Sequence, residues 1–275
     1  MKSYVKLVNF EFNRYFKIYV VLVGITILCQ ITGVIFEGLR FVKEAQETMQ
    51  HEMITMEQYA MNYGPISMYD FIETIWFIGP VAICIVTLLI YMLFIWYRDW
   101  YGKHTFIYRL LMLPVERLNI YFAKVTAIFL FVLGLVSLQL ILLIIENNIL
   151  TRLVPEALLM EMSITSLLTF DILIILYPPT FSEFLLYYGA GFLFILVVFT
   201  MILLERSFRI KGILLAACYG GVIFALLLAP ILINESLNDY FYPIEILAIE
   251  GILALMIGTV SIMLSRFLLN KKITV

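Results

Sequence analysis

Few side chains in this sequence have the chemistry of catalysts or metal ligands, and they lie far apart. The two histidines, His51 and His104, occupy hydrophilic segments separated by a long apolar run, so they cannot share a metal ion or activate one nucleophile. Cys29, Cys84 and Cys218 lie within apolar runs and lack the spacing of metal ligands, which is typical of small buried hydrophobic residues. We therefore expect no catalytic residue and no metal site.

Motifs that hold a phosphate or position a nucleophile are also missing from the 275 residues. The sequence contains no G-x-x-x-x-G-K-[ST] loop, whose backbone amides would hold the phosphates of ATP, and neither the H-E-x-x-H nor the G-x-S-x-G motif. The chain is predicted not to be an enzyme and to bind no cofactor itself. If ATP drives its function, a separate polypeptide must bind the nucleotide.

Three carboxylates stand within apolar runs, where a charge is costly and a functional role is the first hypothesis. Glu245 and Glu250 open the last apolar run, and Asp171 interrupts a shorter one. Glu245 is equally compatible with a position at the membrane surface. Glu250 lies about a turn and a half deeper, where it either lines a polar path or pairs with a neighbouring helix.

The most distinctive hydrophilic block runs from Arg98 to Lys124 and reads RDWYGKHTFIYRLLMLPVERLNIYFAK. It lies between two apolar runs. Residues 103–113 are predicted to form a short helix, because Phe106, Leu110 and Leu113 recur at i, i+4 and i+7. The sequence thus places a short amphipathic helix between two long hydrophobic ones.

Gly102 and Pro114 bound this short helix. The glycine gives it a flexible entry, and the proline ends it because the residue before a proline avoids the α region. Arg109 and Arg117 lie beside the apolar stripe. Two interpretations stay open: the helix fits a groove of a soluble partner, or it lies on the lipid surface.

The amino-acid composition indicates whether the helices that carry the residues above lie in water or in a membrane. The chain is 63% hydrophobic and 14% charged, with a mean hydropathy of +1.02, which is far outside the range of soluble domains. We predict an all-α integral membrane protein that forms one transmembrane domain over residues 1–275. Apolar runs long enough to cross a bilayer occupy residues 18–35, 75–97, 118–145, 184–204, 213–233 and 243–269.

The segments between these runs are also predictable. Residues 1–17 are amphipathic at helical spacing and are expected to lie in the membrane plane, although an inward extension of the first span is the alternative. Residues 36–74 and 146–183 are the two large outer segments. Within the second, residues 164–177 are too short for a seventh span and are predicted to be re-entrant or surface-lying.

The distribution of basic residues predicts the orientation. Fifteen of the 18 Lys and Arg residues fall in the inner segments, and only Arg40, Lys43 and Arg152 fall in the outer ones. Basic residues are retained on the cytoplasmic side of membrane proteins. We therefore expect a multi-pass protein of the cytoplasmic (plasma) membrane with both termini in the cytoplasm.

Small residues recur along the fifth apolar run. Gly212, Ala216 and Gly220 are four residues apart, a spacing that lets helix backbones approach closely in lipid. The pattern predicts either the interface with a second subunit or the tightest contact inside the chain.

The block after the second run resembles permease subunits of the type-2 ABC exporter family. The shared pattern is an acidic residue, a Gly and a Thr, an apolar helix, Leu-Pro-Val-x-Arg and a Lys at the start of the next span. In this sequence the pattern comprises Asp99, Gly102, Thr105, Leu113, Pro114, Val115, Arg117 and Lys124. The family usually has Glu in place of Asp99 and an adjacent Gly-Thr, whereas Lys103 and His104 intervene here.

This resemblance implies that residues 98–117 form the coupling region that docks onto a separate ATP-binding subunit, which would hold ATP and Mg²⁺. It also implies pairing with a second, identical or related, permease and contact with lipid but not with nucleic acid. The cargo would be a peptide antibiotic, a lipid or a small drug. The residues expected to dock on the ATPase are Asp99, Gly102, Phe106, Arg109, Leu110, Pro114 and Arg117.

Two functions of other classes stay open from the sequence. One is a carrier that acts alone and is driven by an ion or proton gradient, with Glu245, Glu250 and Asp171 as coupling carboxylates. The other is a membrane sensor or immunity subunit that binds a ligand at its acidic outer loops and transports nothing.

Overall fold

The computed structural model describes residues 2–100, 107, 110, 112, 115–236 and 240–272, and this part of the chain is helical without strands. The predicted all-α class is confirmed. The helices are α1 (Lys2–Glu52), α2 (Met56–Tyr63), α3 (Met68–Ile72), α4 (Ile75–Trp100), α5 (Arg117–Leu153), α6 (Ile164–Leu167), α7 (Asp171–Ile174), α8 (Phe181–Ser236) and α9 (Pro243–Phe267). A 3₁₀ turn, Glu156–Leu158, and a π turn, Leu268–Lys272, complete the list.

Within this part of the chain, six helical stretches are long and apolar enough to cross a bilayer. The protein is therefore of the multi-pass membrane class, as predicted. The stretches are Ser3–Glu52, Ile75–Trp100, Arg117–Leu153, Phe181–Phe208, Ile210–Ser236 and Ile244–Lys272. Residues 164–177 are not among them and contain only the four-residue helices α6 and α7.

Helix α1 is longer than the sequence pattern suggested. Its 51 residues would extend about 77 Å at 1.5 Å per residue, well beyond a hydrocarbon core of about 30 Å. The predicted N-terminal helix, the first span and the start of the outer segment form one helix without a break. The in-plane position of residues 1–17 stays a prediction. Their buried stripe is Leu7, Glu11 and Tyr15, and it includes an acid.

Local signals end the helices that follow α1. Thr55 and Gln58 form a reciprocal capping box at the start of α2, and Gly64, at φ +87°, ends that helix in a conformation that favours glycine. Ile66 then pairs with the chain near the 3₁₀ turn, where its amide donates to the Leu158 carbonyl at 3.0 Å.

The chain divides into two compact units. One comprises Met1–Phe12, Leu89–Phe129 and Thr180–Val275, and the other comprises Asn13–Leu88 and Leu130–Pro179. We call them the first and second units. The first unit contains a small core of Leu193, Val197, Ile223 and Ile257. The second contains a larger core that includes Val34, Phe71, Ile72, Phe77, Leu143 and Leu150.

Helix α8 contains the fourth and fifth apolar stretches and folds back on itself in the first unit. A straight helix would separate Val197 from Ile223 by about 39 Å, yet both belong to one packed cluster. A methyl group on Gly212 would come within 2.7 Å of the Glu205 carbonyl oxygen. The chain therefore reverses near the basic residues 206–211.

A second close approach joins α1 to α4 in the second unit. A Cβ atom on Gly33 would lie 2.8 Å from Cγ of Trp76, whereas a Cβ atom on Gly24 would meet nothing within 4 Å. Glycine at position 33 thus lets the indole lie directly against the α1 backbone.

We expect Gly33→Ala to destabilise the protein by about 1–3 kcal/mol, because the new methyl group overlaps Trp76. The matched control, Gly24→Ala, should be neutral or slightly stabilising, since alanine has the higher helix propensity. Thermal unfolding of the purified chain in detergent measures both. Equal melting temperatures for the two variants would contradict the close contact.

Candidate functional site: an ion cluster beside residues 101–114

Four charged side chains meet in the first unit, and we call them the ion cluster: Glu11, Arg98, Asp99 and Lys124. Glu11 comes from the N-terminal part of α1, Arg98 and Asp99 from the last turn of α4, and Lys124 from the first turns of α5. Each lies at the edge of an apolar stretch, where helices of a membrane protein carry their charges. The cluster therefore flanks residues 101–114 on both sides.

Lys124 is the centre of the cluster. Its Nζ donates to Asp99 Oδ2 at 2.5 Å, to Glu11 Oε1 at 2.7 Å and to the Ile95 carbonyl at 3.1 Å. An ammonium group has three donors, and all three are used. The same nitrogen lies 5.2 Å from the centre of the Trp96 ring, at a cation–π distance.

Glu11 is held through both carboxylate oxygens. Oε1 accepts from Lys124, and Oε2 accepts from Arg98 Nη2 at 3.3 Å. The Tyr91 hydroxyl donates to the Glu11 backbone carbonyl at 3.5 Å, and the Arg98 guanidinium lies 5.9 Å from the Tyr91 ring centre. The N-terminal part of α1 is thereby joined to α4 and α5.

Burial makes these ion pairs energetically significant. Lys124 and Asp99 have no exposed side-chain surface, Glu11 has 3% and Arg98 has 34%. Two acids face two bases, so the cluster is formally neutral. Removing water from such charges costs several kcal/mol each, and only close pairing offsets that cost. Removal of any one of the four side chains would leave a buried charge without its partner. The ion pairs therefore hold α1, α4 and α5 in fixed positions where these side chains meet.

Hydroxyl groups extend the polar contacts of α5 to α8 and α9. The Tyr121 hydroxyl donates to the Leu196 carbonyl at 3.2 Å. The Thr200 hydroxyl lies 3.0 Å from that of Ser265, and the Tyr219 hydroxyl lies 2.7 Å from that of Ser261. Buried hydroxyls of this kind hydrogen-bond helices to one another where water is excluded.

Contacts near the helix ends continue this set within the first unit. Arg117, which follows residues 101–114, donates from Nη1 to the Leu269 carbonyl in the C-terminal π turn. The Tyr97 hydroxyl donates to Glu205, and the Arg206 guanidinium lies 4.6 Å from the Tyr97 ring centre. The ends of α4, α5, the α8 turn and the C-terminal turn are thus connected.

The residues predicted to dock on an ATPase have different positions. Asp99 is buried in the ion cluster, Leu110 is buried, and Arg117 contacts the C-terminal turn. The docking role stays a prediction for all of them, and for Asp99 it would act through helix position, since its carboxylate is covered. Gly102, Phe106, Arg109 and Pro114 lie outside the described residues.

The predicted small-residue strip lies against the preceding stretch of the same chain. Gly212 packs on the backbone of Leu204 and Glu205, Ala216 is buried, and a Cβ on Gly220 would meet Met201 at 2.9 Å. These contacts close the α8 hairpin. Pairing with a second subunit stays a prediction.

The predicted carboxylates of the last span differ in their surroundings. Glu245 accepts from the Tyr242 amide at 2.9 Å and so caps the start of its own helix. Glu250 is partly buried on α9, and its place on a path stays a prediction. The side chain of Asp171 lies outside the described part of the structure.

Sequence reasoning missed Glu11. It treated residues 3–17 as an isolated amphipathic helix, in which an acid reads as a solvated residue. The available signal was the four-residue spacing of Leu7, Glu11 and Tyr15, which places the acid on one face with two large apolar residues. The sequence singled out Lys124 only as part of the family pattern. Its partners, Glu11 and Asp99, could not be predicted because they lie far away in the sequence.

Lys124→Met should destabilise the protein by about 3–5 kcal/mol, because two buried carboxylates lose their common cation. A suitable control is Lys43→Met, which removes an exposed lysine 3.8 Å from Glu47 and should cost at most about 1 kcal/mol. Thermal unfolding in detergent again gives the measurement. If both variants unfold at the wild-type temperature, the ion cluster does not form as described.

Comparison with known proteins does not assign this chain to a family. No protein-family model, no curated protein and no solved structure matches the chain. The resemblance seen around residues 98–124 therefore stays an expectation, and the function is argued from the described residues.

Proposed function

We propose that this chain is the transmembrane permease subunit of an ATP-driven exporter of the ABC type, coupled to a separate ATP-binding subunit. One observation carries the proposal. The buried ion cluster fastens both flanks of residues 101–114 to each other and to the N-terminal part of α1. A partner that moved this segment would therefore move three membrane helices together.

The described residues of the segment support a docking role. Ile107 has no exposed surface and Leu110 has 4%, whereas Met112 is 70% exposed. The segment thus anchors apolar side chains on its own chain and presents another outward. An exposed methionine beside basic residues is suited to an apolar groove with an acidic rim on a soluble protein.

Force transfer follows from the cost of separating buried charges. Pulling Asp99 from Lys124 would leave both ions buried without a partner, so the ends of α4 and α5 move as one body. Arg117 and the Leu269 carbonyl extend this body to the C-terminal turn. Binding and hydrolysis of ATP on the partner would then switch a path between inward and outward access, with α4 and the second half of α8 as its lining.

The charge distribution gives the proposed setting. With basic residues concentrated in the segments next to the ion cluster and the C-terminus, the chain lies in the cytoplasmic membrane with both termini inside. A second permease, identical or related, completes the path. The exported cargo is a peptide antibiotic, a lipid or a small drug.

Charge reversal at Arg109 and Arg117 should detach the ATPase. We expect a tagged wild-type chain, purified from its own cells in mild detergent, to retain a nucleotide-hydrolysing subunit with a phosphate-loop motif. The double variant Arg109→Glu, Arg117→Glu should retain at least about thirtyfold less of this ATPase subunit, because a lost charge pair at an interface costs about 2–5 kcal/mol or more. Mass spectrometry and ATP hydrolysis of the eluate measure the loss.

The matched control is Arg152→Glu, a reversal at the end of α5 that is predicted to face the other side of the membrane. It should leave ATPase recovery unchanged. The amount of each variant in the membrane fraction must equal that of the wild type. Equal recovery of the ATPase with the double variant would overturn the docking assignment, and its absence from the wild type would overturn the proposed function.

A further inference from the structure

A buried acid in the second unit has no part in the ion cluster. Glu146 lies on α5, and its side of the helix is buried at Gln139, Leu143, Glu146 and Leu150, spaced four, three and four residues apart. The side chain of Glu146 has no exposed surface, and neither carboxyl oxygen has a hydrogen-bond partner among the described residues. Such a group requires an explanation.

The surroundings of Glu146 are apolar. Leu143 and Leu150, one turn to either side, belong to the larger core of the second unit with residues of α1, α3 and α4. Leu150 also lies against the α1 backbone, since a Cβ on Gly38 would meet its Cδ1 at 3.5 Å. The acid is therefore enclosed between helices and does not face lipid or water.

No described cation lies within 4.0 Å of Glu146, and several charged groups of the second unit are engaged with other residues. Arg40 pairs with Glu37 at 3.2 Å and with Glu44 at 3.1 Å, and Asp70 accepts from the Ser67 amide at 2.7 Å. The other ionisable residues of the second unit whose side chains the structure describes are Arg14, Tyr15, Lys17, Tyr19, Cys29, Lys43, Glu47, His51, Glu52, Glu57, Tyr59, Tyr63, Tyr69, Glu73, Cys84, Arg152, Glu156, Glu161 and Tyr177. Among the described side chains, none gives Glu146 an ion pair.

An ionised carboxylate is unfavourable in this position. Burying a charge without a partner costs far more than burying the neutral acid, so the group takes up a proton instead. We propose that Glu146 is a proton-binding site: its carboxyl holds a proton while α5 packs against α1 and α3, and releases it to water when these helices separate. The reaction is the simple equilibrium between a carboxylic acid and a carboxylate plus a proton.

A pair of buried amides, Gln30 on α1 and Gln139 two turns from Glu146 on α5, adds polar groups to the same buried side of α5. Gln30 Nε2 donates to Gln139 Oε1 at 3.2 Å, while Gln30 Oε1 and Gln139 Nε2 are buried with no hydrogen-bond partner among the described residues. One acceptor and one donor thus remain in an apolar part of the chain. Bound water uses such groups, and the amides themselves cannot titrate. Glu146 is the member that exchanges the proton.

This inference does not depend on an ATPase partner. It concerns the second unit, whereas the ion cluster belongs to the first. It also differs from the carrier hypothesis based on Glu245, Glu250 and Asp171, because Glu146 was not among those carboxylates. Loss of ATPase docking and loss of the proton site are measured on different residues.

Infrared spectroscopy of the full chain in lipid nanodiscs tests the proposal directly. At neutral pH, the wild-type minus Glu146→Gln difference spectrum should show the carbonyl stretch of a protonated carboxylic acid, shifted in D₂O. Glu146→Asp should keep such a band at a changed position. Glu250→Gln, which removes a carboxyl from another membrane helix, should leave the Glu146 band intact. A difference spectrum that shows the symmetric and asymmetric stretches of a carboxylate would overturn the proposal.

The melting temperature as a function of pH gives an independent measurement. The folded wild type binds one more proton than the unfolded chain near neutrality, so its stability should fall as pH rises, by about 2–4 °C per pH unit. Glutamine keeps the shape and polarity of the neutral acid but binds no proton. Glu146→Gln should therefore remove that slope, whereas parallel curves for wild type and variant would contradict a protonated Glu146.

Discussion

The packing of the first unit depends above all on the ion pairs of the buried Lys124 ammonium group. This group is fully buried, and it satisfies its three donors with two carboxylates and one carbonyl from α1 and α4. Each partner comes from a different position in the chain, up to 113 residues away. In a protein whose surface is largely apolar, a buried charge has no water to replace a missing partner. The geometry of the three helix ends is therefore strongly constrained.

A buried charge needs a partner in the second unit as well, but there the buried acid is not paired with a described cation. Glu11 and Asp99 have cations within hydrogen-bond distance, whereas Glu146 is equally buried and has none among the described residues. The two paired acids hold helices together, whereas the charge of Glu146 depends on how tightly the helices around it pack. The chain thus uses buried carboxyl groups in two ways.

Close packing depends on where glycine permits it. Gly33 lets Trp76 lie against α1, and Gly212 lets the α8 turn close on the Glu205 carbonyl. In lipid, burial of apolar surface does little to bring helices together, so contact between backbones and hydrogen bonds between hydroxyls contribute more of the association. Tyr219 and Ser261 provide one such bond inside the first unit. The small residues and the buried hydroxyls serve the same purpose.

The sequence by itself determined the all-α class and the six apolar stretches, because apolar composition over about 20 residues is a property of the local chain. It did not determine that α1 runs from residue 2 to 52 without a break, since an amphipathic stretch and an apolar stretch join smoothly in one helix.

Only the tertiary structure decided which charged residues meet. Glu11 and Lys124 are ordinary charges at the edges of apolar runs until α1 and α5 are side by side. Glu146 likewise reads as one more acid of an outer segment until α5 continues past residue 145 and packs it against the core of the second unit. The reason is that pairing, burial and the protonation they impose depend on distances between residues far apart in sequence. No local pattern records those distances.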